Sequence, residues 1–139
     1  MAYWLFKSEP DVWGWNDQVT RGEIGEEWHG IRNYGARNNM RAMIIGDRGF
    51  FYHSNIGKEI VGIVEVSRTS EHDSTTEDLR WDCVRIKAVR AFKRHVTLEE
   101  CKRHPGLEKM VLVNNTRLSV QPVAEDEWQI ICGLGGLTD

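Results

Sequence analysis

Three short stretches of the chain gather side chains that suit the recognition of an unstacked base: Lys7-Ser8-Glu9-Pro10, the run from Trp28 to Asn38, and Tyr52-His53-Ser54-Asn55. Such recognition needs hydrogen bonds to a base edge and an aromatic face to stack on. Asn33 and Asn38 could read an amide-like edge, and Ser54 or the backbone beside it could supply a small donor. Trp28 is the first choice for a stacking wall, with a core anchor as its alternative. Tyr34 and Tyr52 are further aromatic candidates. Six tryptophans are more than a core of this size needs, so at least one is expected to serve a ligand. Trp4 lies in an alternating apolar stretch and reads as core, while Trp81, expected to be half exposed, is a second candidate wall.

Arg32 and Arg37 could grip phosphate through two parallel hydrogen bonds, or brace the loop by pairing with Glu9, Glu23, Glu26 or Glu27. A net charge of -3 excludes the global basic footprint of a protein that grips long nucleic acid. Anion binding must then be local, and Arg32, Arg37, Arg41 and Arg48 face only Asp47 between Trp28 and Phe50. Asn33 has a structural alternative as a helix cap, and His53 as a tie between strand and loop.

Two other function classes stay open. Glu9 with His53 would make an acid/base pair, and Cys83 with His53 a nucleophile pair, as in a hydrolase. Neither comes with a nucleophile elbow, a phosphate-cradling glycine loop or a metal triad. A protein-interaction module built on surplus tryptophans is the third class. Cys83, Cys101 and Cys132 are widely spaced without a Cys-x-x-Cys pair, so neither a disulfide framework nor a metal is expected, and no cofactor is implied.

These residues must be positioned by elements. Tyr3–Lys7 reads as a strand ended by the Pro10 turn, followed by a helical turn after Asn16 and a brief extended piece over Trp28–Arg32. Asn33 can cap a helix from Tyr34 to about Ala42, and Gly46-Asp47 turns the chain into a strand ending at Ser54. Glu59–Ser67 and Trp81–Phe92 are strands joined by a polar loop over Thr69–Leu79. In the second, Val84, Ile86 and Ala88 face one way and Cys83, Arg85 and Lys87 the other. Thr97-Leu98-Glu99-Glu100 opens a helix that stops near His104. Arg117–Val123 is extended, Ala124–Cys132 helical, and Gly133–Gly136 a terminator or a flexible end. We expect one α+β domain over residues 1–139, a curled sheet or small barrel with short helices inserted between strands. No apolar run approaches a bilayer span and no basic leader precedes one. A cytoplasmic protein without membrane contact follows as the expectation, with a monomer favoured.

Tyr-Trp-Leu-Phe-Lys-Ser-Glu-Pro at 3–10, Gly-Ile-Arg-Asn-Tyr-Gly-Ala-Arg-Asn at 30–38, Gly-Asp-Arg-Gly-Phe-Phe-Tyr-His-Ser-Asn at 46–55 and Arg-Leu-Ser-Val-Gln-Pro-Val at 117–123 closely resemble the EVE domain. Order and spacing match, and the resemblance covers essentially the whole chain. It extends to the thymocyte nuclear protein group. It implies a PUA-like fold related to the YTH domain, with a pocket at the barrel mouth for a modified base in DNA or RNA. Methylated or hydroxymethylated cytosine and methylated adenine are the bases implied. The family is regarded as a reader, so no catalytic residues are implied. By motif, the pocket falls on Lys7, Ser8, Glu9, Pro10, Trp28, Arg32, Asn33, Tyr34, Arg37, Asn38, Tyr52, His53, Ser54 and Asn55. Two positions depart from the family's habit: Gly35, often bulkier and polar, and Ala124, often Thr or Ser.

Overall fold

The apolar run Tyr3-Trp4-Leu5-Phe6, buried on both faces, becomes strand β1 (Tyr3–Ser8) in the computed structural model, which describes residues 1–137. Helix α1 (Trp15–Thr20) and a two-residue strand β2 (Glu26–Glu27) follow, then α2 (Tyr34–Ala42), capped by the Asn33 side chain, which accepts from the Ala36 N–H at 2.9 Å. Strands β3 (Arg48–His53), β4 (Glu59–His72) and β5 (Asp82–Thr97) make the centre. Helix α3 (Leu98–Arg103) starts at the Thr97 capping box, and α4 (Val111–Asn114), β6 (Val120–Val123) and α5 (Glu125–Leu134) complete the chain.

The strands form one mixed sheet in the order β2-β5-β4-β3-β1-β6. It is the curled sheet of an α+β fold and does not close into a barrel. The two edges explain why: β2 is only two residues long, and β6 carries Pro122, which has no N–H to offer another strand. Each face buries an apolar cluster. Leu5, Phe50 and Tyr52 pack on one side with Trp128 and Ile131, while Trp4, Phe6 and Phe51 pack on the other with Trp28 and Met40. Among the described residues only β1 and β3 pair in parallel, with Ser8 opposite His53.

Several boundaries differ from expectation for physical reasons. The extended piece expected at Trp28–Arg32 lies earlier, at Glu26–Glu27. The Trp28 N–H still reaches the Val84 carbonyl at 2.8 Å, and Gly30 at φ 83 then turns the chain away. Strand β4 runs on to His72, into the segment read as a loop, because its last rungs leave the core and lose their apolar alternation. Cys83, expected on the side of Arg85 and Lys87, has no exposure: Glu27 of β2, which pairs opposite Arg85, and Asp73 bring their carboxylates within 4.8 Å of its sulfur and cover it. Extended structure after Arg117 begins only at Val120. The glycine-rich end is docked, with the Gly135 carbonyl accepting from the N–H groups of Lys93 and Arg94. Ala124 caps nothing with its side chain, but Glu127 accepts the Ala124 N–H at 2.9 Å. Among the described residues no helix is long and apolar enough to cross a membrane.

Candidate functional site

Parallel pairing of β1 and β3 sends both chains out of the sheet at the same rim. The Ser54 N–H donates to the Ser8 carbonyl at 2.9 Å, so Lys7–Pro10 and Tyr52–Asn55 lie side by side. A bulge between Phe51 and Tyr52 alters the pairing just before His53. Against this rim stands the segment after β2. Between them opens a cleft of about 640 Å³ whose walls include Ser8, Glu9, Trp13, Trp28, Gly30 and Ile31. A second cleft of about 400 Å³ shares Lys7 and Glu9 with the first and reaches Tyr52, Ser54 and Asn55.

Trp28 is not an open wall. It is 7% exposed and meets Phe6 and Phe51 edge to face at centroid distances of 5.6 and 5.8 Å, so the core occupies its ring and only its margin reaches the cleft. Trp13, which sequence reasoning passed over, is the half-buried aromatic of this cleft. The signal was the turn after Pro10: the Glu9 carbonyl accepts from the N–H groups of Val12 and Trp13 and curls both back toward the strand end. Indole Nε1 of Trp13 donates to Gln18 Oε1, and Ser8 Oγ donates to the Trp13 carbonyl. Val12, His29, Gly30 and Ile31 also line the cleft and were not singled out.

The start of α2 is employed elsewhere. Tyr34 stacks on Trp81 at 5.0 Å and 29°, Arg37 lies 4.8 Å over the Tyr34 ring, and Arg80 donates to the Tyr34 hydroxyl at 3.1 Å. Asn38 Oδ1 accepts from Arg37, and the Asn33 side chain is spent on its cap. None of Asn33, Tyr34, Arg37 and Asn38 lines either cleft at the Lys7 rim. Trp81 is 7% exposed, not half open.

Charges pair differently from the sequence expectation. Arg32 bonds Asp73 at 3.0 Å, Arg41 bonds Asp82 at 2.6 Å and Arg48 approaches Glu65 at 3.6 Å. The glutamates expected for Arg32 and Arg37 turn to other cations: Glu23 to Lys87, Glu26 to Arg21, and Glu27 to Arg68. Asp47 is buried and accepts from Trp4 Nε1 at 3.1 Å.

Asp73 organises the far wall. Burial pushes its carboxyl up, but hydrogen bonds from Thr75, the Gly30 N–H and Arg32 outweigh that and hold it well below the usual carboxylate range. Glu27, Asp73 and Cys83 bring their ligating atoms within 4.8 Å of one another. The carboxylates are already engaged, Glu27 by Ser74 and Asp73 by Thr75, Gly30 and Arg32. The Cys83 thiol is pushed up to about 12 by burial and by these carboxylates, so it stays protonated and is no nucleophile. His53 uses Nε2 to accept the Trp15 N–H at 3.1 Å, and burial holds its pKa below the ordinary value. Neither partner of the hydrolase readings is thus activated: no hydrogen bond joins Glu9 to His53 among the described residues, and Cys83 faces Glu27.

What this arrangement can do is hold a flat, partly polar ring. Trp13 and Ile31 supply surface, Ser8 a hydroxyl, and Glu9 a carboxylate that carries no hydrogen bond or ion pair among the described residues. The chain is similar to a protein of Agrobacterium tumefaciens of solved structure, at 59% identity and a TM-score of 0.98 over 99% of this chain and 94% of that one. Human THYN1 protein, crystallised in complex with 5-methylcytosine-containing DNA, is 30% identical with a TM-score of 0.90 and full coverage of both chains. Mouse thymocyte nuclear protein 1 is 33% identical over 95% of this chain and 73% of its own length. The YTH domain of Zygosaccharomyces rouxii MRB1 shares the fold at a TM-score of 0.58 and 17% identity. The family model of the EVE domain matches residues 2–134, and this chain belongs to the EVE domain family.

Proposed function

We propose that this protein is a non-catalytic reader that holds a modified cytosine or adenine of DNA or RNA in the cleft between Ser8-Glu9 and Trp28–Ile31. The observation that carries the reading is the Glu9 carboxylate, without a hydrogen bond or ion pair among the described residues, at the mouth of an aromatic cleft. A carboxylate accepts from an exocyclic amino group, which cytosine and adenine present and thymine and uracil lack. Trp13, Ile31 and Val12 give a methyl or hydroxymethyl substituent apolar surface to meet. The 5-methylcytosine-containing DNA bound to human THYN1 supports the choice of base class.

Calorimetry with two short strands that differ only in cytosine or 5-methylcytosine tests this. The modified strand is expected to bind more tightly by roughly 1–3 kcal/mol, the contribution of a methyl group in an apolar site, and to be recovered chemically unchanged. Equal affinity for both strands, or conversion of the bound base, would sink the reading.

A further inference from the structure

Charge divides between the two neighbouring clefts. Lys7 and Glu9 line both, but beyond them Glu26 and Glu27 line the larger one, whereas Lys58 and Arg117 line the smaller one together with Ser54 and Asn55. Elsewhere the arginines expected to meet an anion are neutralised, since Arg32 and Arg41 are each held by an aspartate. Lys7, Lys58 and Arg117 form no ion pair among the described residues. The Lys7 ammonium donates to the Thr116 carbonyl at 3.2 Å, and burial works against its charge, a penalty that a nearby anion would offset. Lys58 sits at φ 51, a left-handed conformation that side-chain-bearing residues adopt infrequently, directly after Gly57 at φ 89. The turn thus holds Lys58 in place beside the cleft at some backbone cost.

We propose that this smaller cleft seats a backbone phosphate of the strand whose modified base enters the larger cleft; the proposal rests on the base-binding reading above. Three cations face one shared carboxylate, Glu9, so the cleft attracts an anion even though the whole chain carries a net charge of -3. The base side adds no lysine or arginine beyond the shared Lys7, and its Glu26 and Glu27 are engaged by Arg21 and Arg68, so it offers the same phosphate less. Segregation of this kind fixes the direction in which a nucleotide enters. Phosphate contacts position and base contacts specify, so the two clefts have separable effects.

Fluorescence anisotropy with labelled single-stranded DNA octamers, one carrying a central 5-methylcytosine and one a cytosine, tests the assignment in the double variant Lys58→Gln and Arg117→Gln. Both side chains are exposed, and a thermal melt confirms that the fold survives. The variant is expected to bind both strands roughly tenfold more weakly, with an unchanged ratio between them. Its plot of log affinity against log salt should be shallower by about 0.7 for each phosphate that the variant no longer neutralises. Affinity equal to that of the wild type on both strands would overturn the proposal. So would a loss confined to the methylated strand, since the cleft would then be touching the base. The base-binding reading fails separately, if the wild type holds both strands equally; a variant that still weakens both strands then supports the phosphate seat alone. A wild type that binds neither strand defeats both.

Discussion

The indole N–H of Trp13 donates to Oε1 of Gln18 at 3.0 Å, and Gln18, which has no exposure, passes its own amide hydrogen to the Ile86 carbonyl at 3.0 Å. One buried amide therefore bolts the aromatic of the cleft to β5. Gln18→Leu would leave the indole and the carbonyl without partners, each at a cost of about 1–3 kcal/mol. Urea unfolding should show the lower midpoint, and calorimetry below the melting range should show selectivity for the modified base falling with it. Selectivity that survives intact would remove Trp13 from the recognition surface.

Trp13 and Trp28 should separate cleanly by substitution. Trp28→Ala opens a cavity between Phe6 and Phe51 and is expected to cost about 3–5 kcal/mol of stability. Trp13→Ala removes a half-buried ring and should chiefly weaken binding, by roughly 1–3 kcal/mol per stacked base. Denaturant melts and calorimetry on both variants check the contrast. Intact binding in Trp13→Ala would argue against stacking on that ring.

His53 links stability to pH. Burial lowers its pKa below 6.5; Glu59 pulls the other way and His95 adds to the lowering. In the interval just below 6.5 the unfolded chain binds more protons than the folded one, so stability falls as pH drops through it. Protonation of Nε2 would also end its acceptance of the Trp15 N–H. Urea midpoints from pH 7.5 down to about 5 should decline in the wild type. His53→Gln should have a flatter profile over that interval; identical slopes in the two proteins would exclude His53 as the titrating group.

Gly62 is a packing requirement. A Cβ built there would lie 2.4 Å from the Trp15 ring, inside any real contact, and Trp15, the first residue of α1, packs edge to face on Phe51. Gly62→Ala is expected to cost about 1–3 kcal/mol and to shift the tryptophan emission. An unchanged melt and spectrum would mean that α1 moves freely away from the sheet.

What the sequence made legible were the features decided by neighbours along the chain. Asn33 before Tyr34 and Thr97 before Glu100 announced α2 and α3, because a cap is a contact between residues three apart. The pairing of Lys7–Pro10 with Tyr52–Asn55 was legible through the family motifs. Less visible was what each side chain spends its hydrogen bonds on. Arg32 meets Asp73 across 41 positions, and Tyr34 meets Trp81 across the rest of α2, β3 and β4, so neither partner could be inferred from spacing. Cys83 misled for a related reason: alternation assigns a face along one strand, while the groups that cover Cys83, Glu27 and Asp73, come from elsewhere in the chain. Trp13 escaped notice because its neighbours Val12 and Gly14 look like an ordinary turn.

The parallel pairing of Ser8 with His53 has an evolutionary corollary. Ladder bonds end where the connections after Ser8 and His53 begin, so residues beyond that point can be exchanged or lengthened without disturbing sheet register. On the proposed reading, exchanging residues in these connections would alter what the cleft accepts and leave the folding information in the strands untouched.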